Sequence, residues 1–268
     1  MGIDALIFDV DGTLADTEEA HRVAFNLAFE RYSLGWSWSR AEYRGLLDVT
    51  GGKERIAGYI QSLPLAAADC RRLLDLVPHI HREKTRFYSS MVNDGGIALR
   101  DGVARLLDEA LHAGRRLAIA STTSAINVDA LLHSTLGPRG LEMFSVIACG
   151  DQVKHKKPAP DIYQLALRTL GLTPDRAVAL EDSANGLRAA VAAGLWTVIT
   201  PTFWTEGSDF SAAGLVLPRL GDPHKPLNDE PGRQLKSVAW LSFEELARHA
   251  RPPAPLDAVQ ALYRRVPQ

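Results

Sequence analysis

Residues 5–13, Ala5-Leu6-Ile7-Phe8-Asp9-Val10-Asp11-Gly12-Thr13, decide how the rest of the chain is read. The run over 5–10 is short, largely apolar and rich in strand formers, and it stops at Asp11-Gly12. Such a run suits a central parallel strand covered on both faces. Its acidic end falls where open α/β sheets keep their sites, just beyond the carboxyl end of a strand.

Working outward, further runs of the same kind occur at 117–120, 146–148, 177–180 and 196–199. Between them lie helix-like stretches at 103–113, 127–132, 161–170 and 185–193. Strands alternating with helices predict a doubly wound, Rossmann-like α/β core around a parallel sheet. The stretch 17–91 breaks the alternation. Ala20, Val23, Ala24, Leu27 and Ala28 recur at helical spacing, as do Leu73, Leu74, Val77 and Ile80. We therefore expect an all-helical cap over 17–91, inserted into a core made of 1–16 and 92–268, with Gly95-Gly96 at the return. Beyond Leu220 the chain is loop-like, at 221–227 and again from Arg251 in a Pro-rich stretch. Ser242-Phe-Glu-Glu predicts a short helix opened by a capping box.

The 268 residues suffice for a full-sized core, and 46% hydrophobic with 23% charged residues is the mix of an ordinary globular protein. A net charge of −2 argues against wholesale nucleic-acid or membrane-surface binding. Two cysteines, Cys70 and Cys149, are too few for a disulfide framework. With no signal-peptide pattern and no long apolar span, the expected location is the cytoplasm.

Gly12 lets the backbone turn so that both carboxylates of the Asp9–Asp11 pair face one crevice. One can attack phosphorus, and the other can protonate the leaving oxygen and later deprotonate water. By themselves they read equally well as acidic residues in a turn. Three later elements change that. Ser121-Thr122-Thr123-Ser124, at the end of the second strand, offers hydroxyls and amides for a phosphate cradle or a helix N-cap. Lys156-Lys157-Pro158-Ala159-Pro160-Asp161 can neutralise a phosphoryl group; alone it reads as a solvated basic loop. Glu181-Asp182, after the fourth strand, suits a hard cation with oxygen ligands, chiefly magnesium, with Asp182 or Ser183 alternatively capping a helix.

In this order, each at a strand end, these elements resemble the four motifs of the haloacid dehalogenase-like hydrolase superfamily. The resemblance implies that Asp9 is the nucleophile and a magnesium ligand, and that Asp11 is the acid/base, its carbonyl binding the metal. It further implies that Ser121 and Lys157 hold the phosphoryl group and that Glu181 and Asp182 complete the Mg2+ site. Phosphoryl transfer is mostly positioning and charge neutralisation, which is what a cation, a lysine and a hydroxyl supply.

Within that superfamily, 14–22 and Thr50-Gly51-Gly52-Lys53-Glu54-Arg55-Ile56 are similar to the CbbY group. That resemblance implies a phosphatase that converts xylulose 1,5-bisphosphate, an inhibitor of Rubisco, to xylulose 5-phosphate in the setting of carbon fixation. Thr50, Gly51, Gly52, Lys53 and Arg55 then become substrate residues: glycine amides with Lys53 or Arg55 can grip a second phosphate. As an ordinary loop, the same stretch would leave both cations solvated. Thr17, Glu18, Glu19, His21 and Thr122 complete the expected substrate set, with His21 orienting the sugar or relaying protons.

The nearest alternative is a β-phosphoglucomutase-like phosphomutase, and a remoter one a phospho-receiver module, which at about half this length carries no helical insertion. A phosphonatase would need a Schiff-base lysine; Lys53 and Lys84 sit in no such pattern. The expected ligand is a small sugar phosphate, with no nucleic-acid or membrane partner and a monomeric chain.

Overall fold

The structure is a computed structural model and describes residues 2–227, 235 and 238–250. Six parallel strands form one sheet: β1 (Ala5–Phe8), β2 (Arg116–Ala120), β3 (Phe144–Ala148), β4 (Ala177–Glu181), β5 (Trp196–Ile199) and β6 (Leu215–Val216). Their spatial order is β3-β2-β1-β4-β5-β6, so the winding reverses between β1 and β4. Ligands of doubly wound sheets bind at that reversal, beyond the carboxyl ends of the strands.

Side-chain alternation divides the sheet into two unlike faces. Leu6, Phe8, Leu117, Ile119, Val178 and Leu180 point to one, where they pack on α5 (Val103–His112) and α6 (Ala125–Leu136). Ala5, Ala118, Ala120, Ala177 and Ala179 point to the other, with Ile7. Their small side chains give room to α7 (Asp161–Leu170) and α8 (Ala184–Ala192). The expected doubly wound core is therefore present, with strand ends within two residues of the predicted ones. The two-residue β6 at the sheet edge was not predicted.

Between β1 and β2 lie α1 (Glu18–Arg31), α2 (Arg40–Leu46), α3 (Gly52–Ser62) and α4 (Ala67–Asn93). They enclose a cluster of their own, with Phe25, Phe29, Trp38, Tyr43, Ile56, Ile60, Val77 and Ile80 at its centre. One member, Trp204, comes from the loop after β5 and meets Tyr43 edge-on at 5.6 Å. Polar ties bridge the same seam: Lys53–Asp151 (3.3 Å), Lys156–Glu54 (2.8 Å), and Asn185 Nδ2 to Thr50 Oγ1 (2.9 Å). The helical insertion thus lies closed on the carboxyl edge of the sheet.

A last helix, α9 (Phe243–His249), opens at Ser242, which accepts a bond from Glu245 N–H. The expected reciprocal bond of a capping box is replaced: Glu245 pairs with Arg248, and the N-terminal amide of Phe243 donates to Glu109. The 221–227 segment contains a turn closed by the Asp222–Lys225 bridge, whereas the Pro-rich stretch from Arg251 lies outside the described residues. No helix among the described residues is long and apolar enough to cross a membrane.

Phe29 is fully buried between Trp36 and Trp38, with ring centroids 5.4 and 4.7 Å away. We expect Phe29→Ala to cost about 3–5 kcal/mol in urea unfolding, the range for a deleted core aromatic. A loss below about 1 kcal/mol would mean that the insertion does not unfold together with the sheet.

Candidate active site

The site begins where β1 runs out. Asp9 N–H still bonds to the Leu180 carbonyl of β4, at 3.0 Å, and the chain then folds back through Thr13 N–H and Leu14 N–H to the Val10 carbonyl. Gly12 makes this turn with φ +83°. A Cβ there would stand 2.2 Å from Asp182 Oδ2, so the position must be glycine both for its dihedral and for space.

Asp9, Glu181 and Asp182 are buried together and each offers an oxygen within 4.8 Å of the others. Lys157 reaches in from the loop before α7. Its Nζ lies 2.6 Å from Asp9 Oδ1 and 2.5 Å from Glu181 Oε1. The Tyr163 hydroxyl donates to that same Glu181 oxygen at 2.7 Å, and its ring lies 5.0 Å from the ammonium. Ser183 takes the N-cap of α8 by accepting from Gly186 N–H, which leaves Asp182 in the acidic cluster.

Burial pushes the Asp9 carboxyl up to about 7; Lys157 opposes this, while Glu181 and Asp11 add to it. Burial likewise raises Asp182 well above the carboxylate range, with the charges of Glu181 and Asp9. Burial would lower Lys157, but Asp9 and Glu181 more than offset it and hold it charged. One ammonium among three buried carboxylates leaves the cluster short of positive charge. An all-oxygen, anionic donor set of this kind fits a hard divalent cation.

Asp11 is served separately. Its Oδ1 accepts from Thr17 Oγ1 at 2.6 Å and lies 2.8 Å from His21 Nε2. His21 Nδ1 in turn lies 2.5 Å from Lys84 Nζ, and the imidazole stacks on Tyr88 at 4.0 Å. Burial would raise the Asp11 carboxyl; the charge and hydrogen bond of His21, the Thr17 bond and Lys84 outweigh it and hold it far below its ordinary value. Thr17 stands at the N-cap of α1 without capping it, its hydroxyl spent on Asp11 instead.

One cleft is lined by Asp9, Asp11, Ser121, Thr122, Lys157 and Asp182 from the sheet side and by Glu18, His21, Thr50, Gly51, Gly52, Lys53 and Arg55 from the helical side. Glu181 lies beneath it, fully buried, and Thr17 beside it. Ser124, offered in the sequence as a cap of α6, makes no capping bond; its hydroxyl is buried without a partner at the cleft wall.

Glu19 is the exception among the predicted site residues. It does not line the cleft, and both its carboxylate oxygens are taken by Arg22 and Arg40. Successive helical residues point about 100° apart, so only Glu18 of the pair turns inward, where it accepts from the Tyr43 hydroxyl at 2.7 Å. Arg55 reaches the cleft but is largely committed to the scaffold, donating to the Leu46 and Val49 carbonyls and to the Tyr43 hydroxyl.

Lys84 was missed as a site residue, although a signal existed. It continues the buried stripe Leu73, Val77, Ile80, Lys84, Tyr88 of α4, where a lysine needs a reason. Tyr163, Tyr43 and Trp204 belong to no motif that marks them in the sequence.

Burial brings Lys84 down from 10.5 to about 8, against the raising effect of Asp11 and Glu18. Between those two values the unfolded chain holds a proton that the folded chain has released, so this group adds stability as pH rises. The unfolding free energy of the wild type minus that of Lys84→Met should therefore climb between pH 8 and 10.5, by up to about 1.4 kcal/mol per pH unit. A difference that is flat over this window would contradict the depressed ammonium.

Comparison with known proteins agrees with this geometry. Residues 3–194 match the model of the haloacid dehalogenase-like hydrolases. Protein CbbY of Cereibacter sphaeroides is 51% identical over 80% of this chain and 91% of its own length. Fructose-1-phosphate phosphatase YqaB of Escherichia coli is 34% identical over 71% of this chain and 92% of its own. The crystal structure of a CbbY mutant from Rhodobacter sphaeroides in complex with xylulose 1,5-bisphosphate superposes with a TM-score of 0.75 at 49% identity, over 81% of this chain and 94% of that one. The chain belongs to the haloacid dehalogenase-like hydrolase family and is a phosphatase within it.

Proposed function

We propose that this phosphatase removes one phosphate from xylulose 1,5-bisphosphate, leaving xylulose 5-phosphate, with Mg2+ as cofactor and 17–91 acting as a cap over a core of 1–16 and 92–268. The observation that carries the reading is the single cleft in which Asp9, Asp11 and Lys157 face the basic rim of Lys53 and Arg55. A bisphosphate has one anionic end for each. The likeness to CbbY, one of whose structures holds this sugar, selects the substrate.

Asp9, Asp182 and Glu181, with the Asp11 carbonyl, would hold Mg2+, which when bound offsets phosphate charge and so lets an anionic carboxylate approach phosphorus. Asp9 attacks in line and becomes an aspartyl phosphate. Lys157, fixed by Glu181 and Tyr163, neutralises the transferring oxygens, and the Ser121 hydroxyl with the neighbouring amides cradles them. Asp11 must carry a proton to release the sugar, yet it rests deprotonated. His21, 2.8 Å away, is placed to supply that proton, and Lys84 behind it to restore it. Once the sugar leaves, Asp11 takes a proton from water as it attacks the phosphoenzyme. The closed helical insertion keeps bulk water out until then.

Between Lys53 and Arg55, Lys53 is the better candidate for the non-transferred phosphate. Its ammonium has one exposed partner, Asp151 at 3.3 Å, which a phosphate can replace, whereas Arg55 is held by two carbonyls and a phenol.

Phosphate release should be measured over a panel of sugar mono- and bisphosphates with Mg2+, for the wild type and Lys53→Ala. We expect xylulose 1,5-bisphosphate to give the highest kcat/KM, and Lys53→Ala to raise KM for bisphosphates about tenfold while changing monophosphates little. An isomerised sugar phosphate with no net phosphate release would instead indicate a mutase. Equal effects of Lys53→Ala on both substrate classes would remove the second-phosphate role.

A further inference from the structure

Arg100 belongs to the return linker between α4 and α5, away from the reacting groups, yet its side chain runs under the catalytic loop. One terminal nitrogen donates to the Gly12 carbonyl, to the Thr200 carbonyl at 2.7 Å and to Thr200 Oγ1 at 3.0 Å; the other donates to the Pro201 carbonyl at 2.9 Å. The linker backbone is fixed to the same loop, since Arg100 N–H bonds to the Leu14 carbonyl at 2.8 Å and Leu99 pairs with Ala15. All four hydrogen bonds go to neutral acceptors, so the guanidinium ties these segments together while its charge also acts on nearby Asp182. Its planar fork spreads donors over two separated nitrogens that reach both segments at once, whereas a lysine ammonium holds its three donors at one point.

The two segments it joins are the two walls around Asp182. Gly12 stands against the Asp182 carboxylate so closely that a methyl group would collide with it. Thr200 N–H bonds to the Glu181 carbonyl at 2.8 Å, and Thr205, farther along the same loop, donates to Asp182 Oδ2 at 3.4 Å. Shifting either wall moves the aspartate or the carbonyl next to Gly12 on which the metal reading depends.

We propose that Arg100 is a positioning residue for the divalent-cation site: by tying Gly12 to Thr200 and Pro201, it sets the spacing of the loops that bracket Asp182. This rests on the reading of Asp9, Glu181 and Asp182 as that site. Arg100 lies on the linker by which the chain returns from the helical insertion to the sheet, so this tie also anchors that linker to the catalytic loop.

The test is direct binding of Mn2+, without substrate, to the full chain, followed by electron paramagnetic resonance. Wild type, Arg100→Lys, Arg100→Ala and Asp182→Asn are compared, with thermal unfolding of each metal-free protein. Arg100→Lys should stay folded and bind Mn2+ about 10- to 100-fold more weakly, the usual effect of losing a group behind the ligands. Its kcat at saturating metal should fall while KM for the sugar phosphate stays close to wild type. Millimolar guanidinium should recover part of the Mn2+ affinity of Arg100→Ala. Wild-type Mn2+ affinity in both Arg100 variants, with binding lost in Asp182→Asn, would overturn the role of Arg100 alone. So would weakened binding that tracks unfolding and is not recovered by guanidinium. Absence of Mn2+ binding in the wild type, or its persistence in Asp182→Asn, would overturn the cation-site reading beneath it.

Discussion

Lys157, wedged between Asp9 and Glu181, is the interaction on which the site depends. The winding of the sheet brings the ends of β1 and β4 side by side, and with them the Asp9 carboxylate and two further acidic residues. Left unpaired in a buried cleft, such groups would take up protons and lose their chemistry. The lysine, paired with both carboxylates and lying over the Tyr163 ring, supplies part of the missing charge, and the oxygen-rich cluster could be completed by a cation. The same scarcity of positive charge that makes the cluster costly to fold makes it receptive to a metal and a phosphoryl group.

The second carboxylate works under the opposite condition. Asp11 is surrounded by donors, Thr17 and His21, with Lys84 behind them, and all three come from the helical insertion or its first linker. In the proposed reaction, acid/base chemistry is thus completed by residues that the sheet does not own. The insertion is held over the cleft by apolar packing, Ala24, Tyr88 and Val92 of α1 and α4 joining the core cluster with Val128 and Leu131 of α6 and Trp204 meeting Tyr43, since the surface Lys53–Asp151 and Glu54–Lys156 pairs contribute little on their own. Crossed in sign across the seam, those pairs fix register more than they add stability, and one of them leaves a cation where a second phosphate can enter.

Much of this was legible in the sequence because strand ends and chemistry coincide. The runs that mark β1, β2 and β4 lead into the Asp9–Asp11 pair, Ser121 and Glu181, so finding the strands also found these parts of the core site. β6 escaped because two edge residues make no pattern. Glu19 was assigned to the cleft with Glu18 because adjacency in sequence hides the turn of a helix between them. Lys84 carried a readable sign, a cation on an apolar stripe, that was considered only for Schiff-base chemistry. Tyr163 and Arg100 carried none: their partners lie 18 and 88 or more positions away, and the acceptors of Arg100 are mostly backbone carbonyls, which any residue supplies.

In the proposed reaction the Asp9 carboxylate, and no other group, receives the phosphoryl group. Rapid quenching during turnover of xylulose 1,5-bisphosphate, reduction with borohydride and peptide mass spectrometry tests this directly, because an aspartyl phosphate is reduced to homoserine. Homoserine at position 9 alone is the predicted result. Homoserine at position 11, or none at any position while phosphate is being released, would contradict it.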